Sequence, residues 1–228
     1  NSYVSILGNK NINILDNSDN NKRIIWRNLR KLIQFLSENE LNFLKEEYKL
    51  RSKLSKNVYN RSGELEEDLM MIPIKNREVE IYINPFEIGW EKRYYKELFD
   101  ITIDENSKKQ ICMNYLEGLE WTIKYYSGDC IDWRWKYNYD YPPLLSDLIN
   151  YIPIFDNSFI TTKELNPVSP YVQLSYVLPK PYLNLLPNKI HNSLLKNYDS
   201  WYNNNYDFKW AFCRYFWECH AVMPNINI

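Results

Sequence analysis

Three groups of side chains in this 228-residue sequence have types and spacings that could do chemistry. The first is Trp133 and Trp135 with Tyr137, Tyr139 and Tyr141 on alternate positions. A tryptophan face can stack on any base, but alternating aromatics more often fill a loop-rich core, and spacing alone favours packing here. The second is the run Glu64, Glu66, Glu67 and Asp68. Carboxylates on one turn can gather oxygen ligands for a cation; bunched in one run with no histidine nearby, they are more often a solvated helix start. The third is Cys213, Cys219 and His220 with His191 upstream, whose spacings fit no common structural-zinc pattern and read better as buried thiols and ordinary histidines. None of these patterns by itself assigns a metal ligand.

The elements that must position such groups are bounded by composition. A hydrophobic fraction of 45% predicts a packed core, and 20 Tyr with 8 Trp make that core aromatic and partly polar. The net charge of -1 provides no whole-protein field for a polyanion, so nucleic acid would need a local patch. Four cysteines, none in a C-x-x-C pair, in a chain too large to need a disulfide framework read as reduced thiols of an intracellular protein. No run approaches the roughly 18 apolar residues of a membrane span, and the start carries no basic-then-apolar leader. Asn1 in place of Met favours a piece of a longer chain.

Residues 1–21 are Asn-rich and aperiodic and read as a linker or flexible start, with Tyr3, Val4, Ile6 and Leu7 able to add a short strand or anchor. One helical domain is expected over 22–228. Ile25, Leu29, Leu32, Ile33 and Leu36 form a helical stripe with Asp19 or Asn20 as cap. Ser37 with Glu40 reads as a capping box opening a second helix that turns Leu41, Leu44 and Tyr48 inward, so a helical hairpin is predicted. Val79 to Ile83 alternates briefly. Trp90 to Phe99 and Asp104 to Tyr126 read as helices, the second with Ile111, Tyr115, Leu119, Thr122 and Tyr126 inward and ending at Ser127-Gly128. From Pro142 to Pro187 eight prolines separate short apolar segments, so helices there must be short. The fold class predicted is mainly α, with long helices followed by short proline-punctuated helices and ordered loops, and few or no strands.

The segment YLEGLEWTIKYYSGDCIDWRWKYNYDYPPLLSDL, Tyr115 to Leu148, resembles the second conserved region of XRN-family 5′-to-3′ exoribonucleases. That family shows Y-x-E-G-x-x-W-x-x-x-Y-Y, a glycine turn, W-x-W-Y-Y-P-Y-H-Y and then P-F-x-S-D. Glu117, Gly118, Trp121, Tyr125, Tyr126, Trp133, Trp135, Tyr137, Tyr139, Tyr141, Pro143, Ser146 and Asp147 stand in matching places. Trp90, Arg93, Tyr94, Tyr95 and Phe99 resemble a W-x-x-R-Y-Y-x-x-x-F element upstream. Downstream, Gln173-Leu174 with Val177-Leu178-Pro179, then Leu185-Leu186-Pro187, then Trp217 with Val222-Met223-Pro224 follow the family's order. The match is best over 90–228. Lys136, Asn138 and Asp140 depart from the family's Tyr, Pro and His, which places a diverged member in view, a virus-encoded one among the options.

The resemblance implies the helical half of an enzyme that removes nucleotides from single-stranded RNA bearing a 5′-monophosphate. It implies Mg²⁺ held by acidic residues of an upstream nuclease domain, which would be this domain's partner, and therefore no catalytic residue and no metal ligand in this chain. By itself the chain would be inactive. This half would shape the substrate channel, with Trp133 or Trp135 stacking on a base and Arg134, Lys136 and Lys124 near phosphate. Packing remains the reading for Trp121, and a structural hydrogen bond or ion pair for Glu117. The alternative is a non-catalytic module derived from this family that binds RNA or protein.

Overall fold

The computed structural model describes residues 2–16, 22–58, 65–128, 130–160, 166–202 and 207–222, and the side chains of all of these except 57, 58 and 65–67. Within 2–16, helix α1 (Ser2–Ile6) lies against the long helix that follows, and Leu7 is fully buried as an anchor. Strand β1 (Leu15–Asp16) pairs antiparallel with β2 (Arg23–Ile24), Leu15 opposite Ile24. Asp19 and Asn20 lie outside the described residues, as do Asn203 to Asn205, Met223 and Pro224.

Helix α2 runs unbroken over Trp26–Val58, 33 residues, so the predicted hairpin is one helix. Residues 34–40 hold neither Gly nor Pro to stop it. Ser37 turns its hydroxyl back onto the Gln34 carbonyl inside the helix, at 2.8 Å. Glu40 does cap a helix, but a distant one: its carboxylate accepts the N–H groups of Leu145 and Ser146 at 2.6 and 3.0 Å. Those are first-turn donors that otherwise lack partners.

Helices α3 (Leu65–Met70), α4 (Ile72–Lys75) and α5 (Glu78–Ile83) follow. The brief alternation over 79–83 is therefore helical, with Glu80 and Ile83 buried three residues apart. Of the acidic run only Asp68 has a described side chain, and it pairs with Lys75 at 3.1 Å. Helix α6 (Trp90–Phe99) buries Trp90, Tyr94, Tyr95 and Leu98, and helix α7 (Glu105–Tyr126) is capped by Asp104, whose side chain accepts the Ser107 N–H at 2.7 Å. Helix α8 (Leu145–Leu148) packs on α2 and α7. Beyond it come α9 (Pro170–Val177), short between Pro170 and Pro179, α10 (Asn188–Asn197), which starts after Pro187, and a hairpin of β3 (Phe208–Lys209) with β4 (His220–Ala221). Ten α-helices among the described residues, with only two-residue strands, make the protein mainly α.

Two core clusters meet around α7. One gathers Ile83, Trp90, Tyr94, Tyr95, Leu98, Ile111, Tyr141 and Leu144; the other Trp26, Ile33, Cys112, Leu116, Leu148, Ile152 and Phe159. The fully buried face of α7 is thus Ile111, Cys112 and Leu116, with Tyr115 and Leu119 half-buried beside it. Tyr126 is 80% exposed rather than inward, because it sits on the last turn beyond Ile123, the final α7 residue in that cluster. Thr122 is also exposed and satisfies its hydroxyl on the Gly118 carbonyl. The helix does stop as expected: Gly128 takes φ +87°, a conformation that costs glycine little.

Candidate nucleic-acid interface

The face of α7 opposite its core carries Gly118, Trp121 and Tyr125, three and four residues apart and so on one stripe. After the Gly128 turn the chain comes back along this stripe in the opposite direction. Trp133 lies against Tyr125, Trp135 against Trp121, Tyr137 against Tyr115, and the Asn138 N–H donates to the Asn114 side-chain oxygen at 2.9 Å. The aromatic block is therefore a strap laid antiparallel on a helix.

Glycine 118 makes room for it. A Cβ there would lie 2.6 Å from Cη2 of Trp135, closer than two carbons can approach, so only glycine admits that ring. Trp135 stacks on Trp121 with centroids 5.6 Å apart and planes 22° apart, and Trp121 stacks on Tyr125 at 5.0 Å and 10°. Tyr125 and Trp133 then meet nearly perpendicular, at 6.4 Å and 87°, within the range in which aromatic pairs attract. Trp135 is half-buried in this row; Trp133, at its end, is 43% exposed.

The rest of the strap is packing. Tyr137 donates its hydroxyl to the Tyr141 carbonyl at 2.8 Å and touches Tyr139, which continues to Phe99 and the core. Burial pushes the phenols of Tyr115, Tyr137, Tyr139 and Tyr141 above their ordinary range, so they remain neutral and give the strap an uncharged backing. Glu117 accepts the Asn114 amide at 3.0 Å, a structural hydrogen bond. Lys136, Asn138 and Asp140, the three departures from the family pattern, all point to solvent, while Trp135, Tyr137, Tyr139 and Tyr141 point in. Asp140 is used locally, pairing with Lys209 of β3.

Of the predicted RNA-contacting residues, the structure brings Trp133 and Arg134 together on the exposed turn at 133–134, with Lys136 exposed two residues on. Trp135 it places within the packing. Lys124 lines a cleft next to Ile24 and Trp26 in which Lys22, Arg23 and Lys124 face Asp16, Glu120 and Asp156, a balanced set that gathers no excess positive charge. Glu120 itself is buried and fully used, accepting the Ser158 hydroxyl at 2.8 Å and the Phe159 N–H at 2.6 Å. Sequence reasoning missed that tether and also Asp132, a buried carboxylate whose only local signal is its place before a Trp-Arg turn.

Among the described residues no group of three or more His, Cys, Asp or Glu side chains is placed to hold a metal ion, so the Mg²⁺ that the resemblance implies finds no donor set in them. Nor is any described helix long and apolar enough to cross a membrane.

An α-helical domain whose surface ends in an aromatic row flanked by cations is the class that fold and site define. The sequence profile of the family described as the Xrn1 helical domain matches residues 80–227, well over half of the chain. The chain belongs to that family. It is 30% identical over 149 residues to the 5′-3′ exoribonuclease 2 of Gallus gallus, covering 64% of this chain and 15% of that protein. It is 32% identical over 152 residues to the enzyme of the same name from Saccharomyces cerevisiae, with the same two coverages. The Schizosaccharomyces pombe enzyme is 34% identical over 148 residues, 62% of this chain and 14% of its own length. The chain thus spans about 15% of the length of the curated relatives it matches.

Proposed function

We propose that this chain is the helical part of a 5′-to-3′ exoribonuclease, a hydrolase that digests single-stranded RNA bearing a 5′-monophosphate inside the cell. Membership of the Xrn1 helical domain family supports the reading, since the relatives quoted above are 5′-3′ exoribonucleases by name. In this reading the acidic residues that hold Mg²⁺ belong to an upstream nuclease domain, and this domain narrows the channel to it. Trp133 is the base platform, because it is the exposed end of the aromatic row, and Arg134 and Lys136 lie beside it to meet phosphate. A stack on a ring face is indifferent to base identity, which suits an enzyme that must digest every sequence.

Single replacements Trp133→Ala and Trp135→Ala in the full-length protein test this. Trp133→Ala is expected to weaken RNA binding about tenfold to a hundredfold, the loss of about 1–3 kcal/mol of stacking, with little change in melting temperature. Trp135→Ala is expected to act first on stability, by about 3–5 kcal/mol, because it empties a packed ring site. If Trp133→Ala leaves RNA affinity untouched, the platform assignment is wrong. Release of mononucleotides from 5′-monophosphorylated RNA in Mg²⁺ should require the longer chain; turnover by residues 1–228 alone would overturn the placement of the catalytic acids upstream.

A further inference from the structure

From Trp135 to Tyr141 the side chains alternate in burial without exception, through the bends at 138–141: 135, 137, 139 and 141 inward, 136, 138 and 140 outward. Carried two residues back, that phase would bury Trp133 beside Trp135 and leave only Arg134 in solvent. Instead Trp133 and Arg134 are both exposed, and the inward position is taken by Asp132, only 4% exposed. A tryptophan and an aspartate have exchanged the surroundings their chemistry prefers.

Two hydrogen bonds hold the exchange in place. The Asp132 side-chain oxygen Oδ1 accepts the backbone N–H of Arg134 at 2.8 Å, the two-residue closure by which an aspartate makes a turn from its own side chain. The Asp132 carbonyl accepts the indole N–H of Trp121 at 2.6 Å, which fastens the start of the turn to α7. A buried carboxylate is costly without a partner, and the partner of this one is the N–H that closes the turn at 133–134.

We propose that Asp132 is the positioning residue of the platform: it breaks the inward phase of the strap and so decides that Trp133, and not Trp135, faces the RNA. The inference rests on the stacking role given to Trp133 above only for its functional consequence; the positioning is a property of the protein alone.

The test uses the full-length protein labelled with 5-fluorotryptophan, the Trp133 resonance being assigned with Trp133→Phe, and reads its solvent exposure from the shift between light and heavy water. Trp133 should be exposed in the wild type and in Asp132→Asn, whose side-chain oxygen still accepts the Arg134 N–H. It should become shielded or broadened in Asp132→Ala, and in Trp121→Phe, which keeps a ring in the stack but removes the indole donor and serves if Asp132→Ala melts early. An exposed, sharp Trp133 resonance in both of these variants overturns the proposal. In RNA titrations Asp132→Ala should lose about as much affinity as Trp133→Ala, and in a Trp133→Ala background it should change affinity by less than about twofold, since it acts through a ring no longer there. Shielding of Trp133 in Asp132→Ala combined with an unchanged affinity in Trp133→Ala would keep the positioning and discard the stacking role.

Discussion

Helices α7 and α9 both carry tyrosines and branched apolar residues, and they meet solvent in opposite ways. Along α7 the core residues Ile111, Cys112 and Leu116 are fully covered, whereas α9 has no buried residue at all, and its Val177 is 66% exposed. Apolar content does not separate the two. What differs is the number of buried or half-buried polar side chains that reach across the chain to close a neighbour down. Around α7, Glu120 holds 158–160, Glu40 holds the start of α8, and Glu80 holds the Phe212 N–H at 2.8 Å. Helix α9 is eight residues long, opened by Pro170 and followed by Pro179, and its tie to the satellite cluster of Leu183, Leu186 and Tyr202 is the Tyr202 hydroxyl on the Ser175 carbonyl. Burial is greater where more long-range polar anchors converge on one helix.

The largest expected effect comes from cutting the strongest anchor. Glu80 is buried between Arg51 and Arg77, at 2.6 and 2.7 Å, and all three side chains are at most 3% exposed. Glu80→Ala leaves two buried guanidinium groups facing each other without a carboxylate and should cost about 3–5 kcal/mol in denaturant unfolding. The surface pair Lys180–Asp199 near α9, at 2.8 Å, should contribute at most about 1 kcal/mol when Asp199 becomes Ala. Equal losses from the two would erase the contrast.

Next in size is the apolar comparison itself. Leu116→Ala should cost about 2–5 kcal/mol, because it opens a cavity in a closed core, while Val177→Ala should stay within about 0.5 kcal/mol either way. A large loss at Val177 in the full-length protein would show that α9 is covered there.

The smallest effect at neutral pH sharpens the same contrast with alkali. Burial, with the Asp147 carboxylate adding to it, pushes the Cys112 thiol up to about 12 from an ordinary 9.0. The folded protein therefore keeps a proton that the unfolded chain loses, and the associated stability is complete below about pH 9 and disappears as pH rises toward 12. The buried phenols of Tyr94, Tyr95, Tyr137 and Tyr141 are raised as well and act in the same sense. Alkylation followed by mass spectrometry should find Cys112 unmodified until the protein unfolds, with tyrosinate absorbance rising in the same step. Modification of Cys112 in a still-folded protein would show that the α7 core opens locally.

What the residues by themselves determined were features whose cause is local. Gly128 ends α7 because of its own backbone freedom, Pro179 bounds α9 because it lacks an N–H, and the order of motifs from Trp90 onward marks the family without any coordinates. What only the tertiary structure decided were features whose cause lies far along the chain. Ser37 and Glu40 have the spacing of a helix start, yet Glu40 finds its donors 105 residues away and α2 runs through. Tyr126 has the period of a buried residue yet is 80% exposed, on the last turn beyond the core cluster. Trp133 and Trp135 are indistinguishable as letters two apart; one packs and one faces solvent because Gly118 leaves a slot for a single ring and Asp132, pinned by Trp121, turns the chain before the other. A pattern of residue types can state which side chains are able to pack or stack, but hydrogen-bond partners brought together by the fold choose between the two.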